Sequence, residues 1–105
     1  MPVRSFPIAS LRAGSEDLGR AMLRLRRNDP DPDIPGIKSW LVSGRTEFLG
    51  PLPNDIDIVA ILVDGRKLAG RGVLTSHTIN SQTGRAGFRY SGTGPLDGIQ
   101  DEDFG

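Results

Sequence analysis

Hydrophobic and polar positions are most regular in the second half of the chain. Ile56 to Val63 is apolar except for Asp57, and a run of that length, rich in Ile and Val, predicts a strand buried on both faces. Asp64-Gly65 follows at once and predicts a hairpin, because Gly takes positive φ without a Cβ clash. From Gly72 to Ile79 the period is two, with Val73, Thr75, His77 and Ile79 on one face and Leu74, Ser76 and Thr78 on the other. Asn80 to Gly84 reads as a polar turn. Ala86, Phe88 and Tyr90 then oppose Arg89 and Ser91, and Gly92, Gly94 and Pro95 end the sheet. Turns this short impose antiparallel pairing.

The first half is less regular. Residues 1–14 alternate weakly through Val3, Phe6, Ile8 and Leu11, which predicts an extended arm with an edge strand around Phe6 to Leu11, docked on its own domain or on a neighbour. Ser15 to Arg27 reads as a helix. Ser15 is placed to cap it, Glu16 and Asp17 sit at the dipole's positive end, and Arg24, Arg26 and Arg27 at its negative end. Leu18, Ala21, Met22 and Leu25 would form its apolar stripe, and Arg20, Arg24 and Arg27 a basic face. Asn28 to Gly36, with three prolines and three aspartates, reads as a stiff solvated loop. Ile37 to Ser43 alternates as a strand. Ser43-Gly44-Arg45 would turn it into a partner strand over Thr46 to Leu49, and residues 50–54 form a rigid loop into the central strand. The expected fold is mainly β with one short helix, a small antiparallel β-sandwich or barrel flanked by an α-helix. It divides into an arm over 1–14, one domain over 15–96 and an acidic tail over 97–105, mobile after Gly98.

Length and composition agree. The 105 residues suit one domain, and 14 Gly and 8 Pro favour turns and strands over long helices. With 36% hydrophobic residues the core is modest, so partners could supply part of the stability. No cysteine is present, which removes disulfides and thiolate metal sites. No apolar run approaches the ~18 residues of a membrane helix. The first residues carry no signal-peptide core, because Pro7, Ser10 and Arg12 interrupt it. The formal net charge is zero, but Met1 to Arg27 holds six arginines against Glu16 and Asp17, whereas 28–36 and 97–105 hold only acids. Such a chain could pair with copies of itself, end to tail; the plainer alternative is two solvated ends.

Chemistry is sparse. His77 is the one histidine, so no multi-histidine metal site exists, and no G-x-S-x-G places a serine nucleophile beside it. Asp29, Asp31 and Asp33 alternate as calcium ligands do, but the central glycine and terminal glutamate of a calcium loop are missing. Asp55 and Asp57 read as solvent-facing residues at a strand start. Gly70-Arg71-Gly72 and Gly92-Thr93-Gly94 lack the following helix that phosphate-binding glycine motifs need. Net neutrality and 6% aromatics argue against a dedicated nucleic-acid binder and leave non-specific DNA contact at most. Neither an enzyme nor a cofactor is expected.

Glycine followed by Val73-Leu74-Thr75-Ser76, an aromatic strand at Phe88 and the ending Gly92-Thr93-Gly94-Pro95-Leu96 resemble the C-terminal half of bacteriophage major tail (tail-tube) proteins. The similarity covers roughly residues 60–96. It implies a structural virion protein, assembled in the host cytoplasm, whose commonly hexameric rings stack into a tube. Subunit contacts are then expected at Phe6, Ile8, Asp29, Asp31, Asp33, Trp40, Arg45, Phe48 and Leu52. Val73, Thr75, His77, Phe88 and Tyr90 would lie in the sheet that closes the ring. Trp40 has the alternative role of core anchor. Two other readings stay open: a capsid decoration, head–tail joining or tail-terminator protein, and a small module that binds a peptide by strand addition.

Overall fold

Chain reversals at Gly14, Gly65 and Gly84, all at positive φ, separate strands too long and too close in sequence to do anything but pair with their neighbours. The computed structural model describes residues 3–28, 37–100 and 103. It contains six strands: β1 (Val3–Ala13), β2 (Glu16–Asn28), β3 (Ile37–Thr46), β4 (Asp55–Leu62), β5 (Lys67–Asn80) and β6 (Arg85–Gly92). They close into an antiparallel barrel in the order β1-β2-β3-β6-β5-β4. The expectation of a mainly β, antiparallel fold holds, in its barrel form.

The flanking helix does not exist: Glu16–Asn28 is strand β2, paired with β1 and β3. The helical stripe coincided with a strand alternation. Leu23 and Leu25 face the core while Met22, Arg24 and Arg26 face out. The signal was masked because register shifts in the β1–β2 ladder change which parity points inward. Leu18 is buried on one side of Gly19 and Leu23 on the other, with Gly19 at φ +78° and its amide donating to the Asp17 carboxylate at 2.9 Å. A one-residue shift of this kind moves every following side chain to the other face. In β1, Ile8 and then Leu11 and Ala13 point inward across a similar shift. The arm of residues 1–14 is thus a full barrel strand from Val3 onward, not an edge.

Three further expectations change. β4 buries one face only: Ile58, Ala60 and Leu62 are inside, while Ile61 and Val63 are 43% and 66% exposed, as the wall of a barrel requires. Ser43-Gly44-Arg45 is not a turn. β3 continues through it to Thr46, with Gly44 paired to Phe88. A Cβ at Gly44 would stand 3.1 Å from Ala21 Cα, so this glycine permits close strand approach. The separate partner strand expected over Thr46 to Leu49 does not form; Thr46 ends β3, and the chain then becomes a loop that tucks Leu52 into the core. The loop expected over 28–36 lies outside the described residues beyond Asn28, which ends β2.

The interior is filled. Tyr90, Leu11, Leu23, Leu25 and Leu68 are fully buried, and the Tyr90 hydroxyl donates to the Pro53 carbonyl at 2.8 Å. Trp40 lies against the backbone of Gly70 and Gly92 and donates from Nε1 to the Gly94 carbonyl at 2.9 Å. The described residues after β6 contact the barrel. Asp97 exchanges backbone hydrogen bonds with Ala69 at 2.7 and 3.1 Å, Ile99 packs against the core, and Asp103 meets Arg66 at 2.9 Å.

Candidate functional site

Pairing in the closed barrel is staggered, and part of β5 runs on without a strand on one side. β4 pairs with β5 only as far as Asp55↔Val73, and the last link on that side is the Leu74 amide donating to the Asn54 carbonyl at 2.7 Å. β5 runs on to Asn80, paired with β6 alone. From Thr75 to Asn80 one edge of β5 therefore has no strand beside it among the described residues. A register shift at Thr75 separates Leu74↔Tyr90 from Ser76↔Arg89 and marks where the strand leaves the wall. The overhang carries no charge: its sequence is Thr-Ser-His-Thr-Ile-Asn. Edge strands are usually protected by lysine, proline or inward charges, and none is present here beyond the bulge itself.

That shift also corrects the expected face of Val73, Thr75, His77 and Ile79. Val73 pairs with Ser91 and points out, whereas His77 pairs with Phe88 and Ile79 with Ala86, both inward partners. Ile79 is 51% exposed because the barrel has ended beneath it. His77 Nε2 is buried and has no hydrogen-bond partner among the described residues, a costly state for a polar group. The hairpin tip is stiff: Asn80 Oδ1 accepts from the Gln82 amide at 3.0 Å and the Thr83 amide at 3.4 Å.

Beside this edge lies a basic surface. Outward positions of β3 and β6 bring Arg45 opposite Gly87 and Arg89 opposite Ser43. On the other side Arg89 faces Ser76 and Gly87 faces Thr78. The missing side chain at Gly87 makes the floor of a depression of about 570 Å³ ringed by Arg45, Arg85, Thr78, Asn80 and Thr83. A second hollow is lined by Arg20, Arg45 and Arg85 together with Asp17 and Glu47. Among the described residues Arg20, Arg24, Arg45, Arg85 and Arg89 make no ion pair. Arg66 and Arg71 differ. Arg71 holds Asp55 at 2.8 Å and Asp57 at 3.2 Å, which raises its pKa chiefly through the Asp55 hydrogen bond. Asp55 and Asp57 are exposed, as expected, but paired.

The residues expected to contact other subunits divide. Ile8, Trp40 and Leu52 are core side chains; their hydrophobicity serves the barrel, and Trp40 is the core anchor. Of the residues expected in the sheet that closes the ring, Phe88 and Tyr90 are likewise core. Phe6 is half-buried, with the Arg66 guanidinium 5.5 Å above its ring. Phe48 is half-buried and Arg45 exposed. Asp29, Asp31 and Asp33 lie outside the described residues. Thr75 and His77 lie on the open edge of β5, whereas Val73 is paired on both sides, with Asp55 and Ser91. The arginine face itself was not legible in sequence, because its members come from three strands and one of them had the period of a helix. Among the described residues no group of His, Asp or Glu is arranged to hold a metal. Comparison with family models, curated proteins and solved structures returns no match, so the reading of these surfaces rests on their geometry.

Proposed function

We propose that this protein is a structural subunit that associates with copies of itself through the open edge of β5, in a tailed-phage or phage-like particle, as a ring-forming tail-tube protein. One observation carries the reading: an uncharged six-residue strand edge, Thr75 to Asn80, that the chain's own barrel does not cover. Unpaired backbone donors and acceptors on such an edge favour a neighbouring strand. Ile79 gives the contact apolar area, and the orphan His77 nitrogen gains the chance of a partner. A ring closes when each subunit offers the edge and receives its neighbour's on a different surface. The tail-tube resemblance supplies the particular assembly; a capsid decoration or head–tail joining protein would use the same device.

The same edge favours a second reading, a module that adds an extended peptide as a strand. Sedimentation and negative-stain microscopy of the purified chain, with and without phage capsids, separate the two. Rings or tubes that grow with concentration support the assembly reading, and Ile79→Lys, which sets a charge on the edge, should leave a folded single subunit. Binding to shells without rings assigns the decoration role. A chain that stays monomeric at every concentration, ignores capsids and takes up extended peptides overturns the assembly reading in favour of the module.

A further inference from the structure

Net neutrality conceals a segregation of charge. β3, β5 and β6 contain no aspartate or glutamate, and β2 has acids only at its first two positions. Every other carboxylate of the described residues lies in loops, in β4 or beyond β6. On the outer face of β2, β3 and β6 stand Arg20, Arg24, Arg26, Arg45, Arg85 and Arg89. Among the described residues Arg20, Arg24, Arg45, Arg85 and Arg89 have no ion partner, while Arg66 and Arg71 each neutralise two carboxylates. Arg12 and Lys67 also lack an ion pair among the described residues, but they stand together beside Val59 and Ile61, away from this face.

We infer that this face binds the phosphate backbone of a nucleic acid without regard to base sequence. The site goes beyond the assembly reading and stands on a different surface from the β5 edge pairing. Arg45 and Arg89 occupy adjacent strands offset by two residues, a diagonal of roughly 7–8 Å between backbones. Guanidinium groups in that arrangement form a ladder for a polyanion whose charges repeat along its length. Between them stand Ser43, Ser76, Thr78, Asn80 and Thr83, residue types that with Arg make up backbone contacts. No exposed aromatic ring lines the depression around Gly87, so bases have nothing to stack on. An acidic protein fits less well: protein interfaces centre on aromatic or aliphatic anchors, and this depression is lined by arginine, hydroxyl, amide and glycine groups only.

The test is fluorescence anisotropy with labelled duplexes of two unrelated sequences, using the wild type and Ile79→Lys, so that failure to assemble and failure to bind read separately. Both sequences should bind equally. Log K should fall with log salt at about −0.9 per neutralised phosphate, hence a slope of about −4 to −5 for the five unpaired arginines. Arg45→Ser/Arg89→Ser, both exposed positions, should weaken binding at least about tenfold and flatten the slope by about 2. Arg71→Ser, whose cation is already occupied, should change neither. No binding at low salt, a double variant that binds like wild type, or tighter binding of polyglutamate than of DNA would overturn the assignment, the last in favour of an acidic protein partner.

Discussion

Two glycines one strand position apart in purpose, though five in sequence, show how much a single missing Cβ decides. At Gly92 an added methyl group would drive into the Trp40 indole, which is itself held by its bond to Gly94 and cannot retreat. At Gly87 the nearest atom to an added Cβ would be the Thr78 carbonyl oxygen at 4.0 Å, an ordinary contact. Gly92→Ala should therefore destabilise the fold by about 1–3 kcal/mol, a melting temperature lower by at least about 4 °C. Gly87→Ala should be neutral or stabilising by up to about 1 kcal/mol, since it restrains only the unfolded chain. Thermal unfolding by circular dichroism checks both. Sequence marked Gly92 as an end of sheet, which it is, but nothing local reveals that a tryptophan fifty residues away needs the space. The same limit applies to Tyr90. Its burial was legible from alternation with Ala86 and Phe88; its bond to Pro53 was not.

A single parity makes a strand easiest to read, although in β3 it does not stop Gly44 from reading as a turn, nor in β4 an apolar run from reading as buried on both faces. β6 alternates without interruption and was read correctly, as was the hairpin at Asp64-Gly65. β1, β2 and β5 each contain a register shift, and each was misread in proportion: an arm, a helix, a wrong face. Beyond β6 the acidic composition suggested a mobile tail, yet Asp103 folds that segment onto the β4–β5 turn. Its carboxylate accepts from the Gln100 amide at 2.8 Å and pairs with Arg66 at 2.9 Å. The Gln100 bond first, then Arg66, hold its pKa below the usual aspartate value. A depressed pKa means that this clamp contributes stability above the ordinary aspartate range, near 3.9, and loses it as pH falls through the folded value. The Gln100 amide resonance should hold steady from pH 7 to about 5 and shift below pH 4. In Asp103→Asn that acid-range shift should vanish. An Asp103→Asn spectrum that titrates like wild type would mean the clamp does not act on this amide.

At the scale of the molecule the overhang matters more than the barrel. The radius of gyration is 14.2 Å and the extents are 49 × 26 × 21 Å, against about 13 Å for a compact chain of this length. β5 continues past its pairing with β4, and on the assembly reading its free edge is where a neighbour would bind. If a neighbour binds there, folding and association are linked, because any partner that binds only the folded form stabilises it by mass action. The free chain bears the uncompensated His77 nitrogen and the bare edge, so its stability should be lowest when dilute. The melting temperature of the wild type should then rise with protein concentration. Ile79→Lys should melt at one temperature across the same range, near the dilute wild-type value, since the side chain is already half in solvent and its loss costs the barrel little. His77→Leu sharpens the test: removing a buried unsatisfied group should raise the dilute melting temperature, by about 1 kcal/mol or more of stability, whatever the edge does. Concentration-independent melting in wild type and Ile79→Lys alike, together with a His77→Leu gain that persists at all concentrations, would mean that the edge stays open and the subunit works alone.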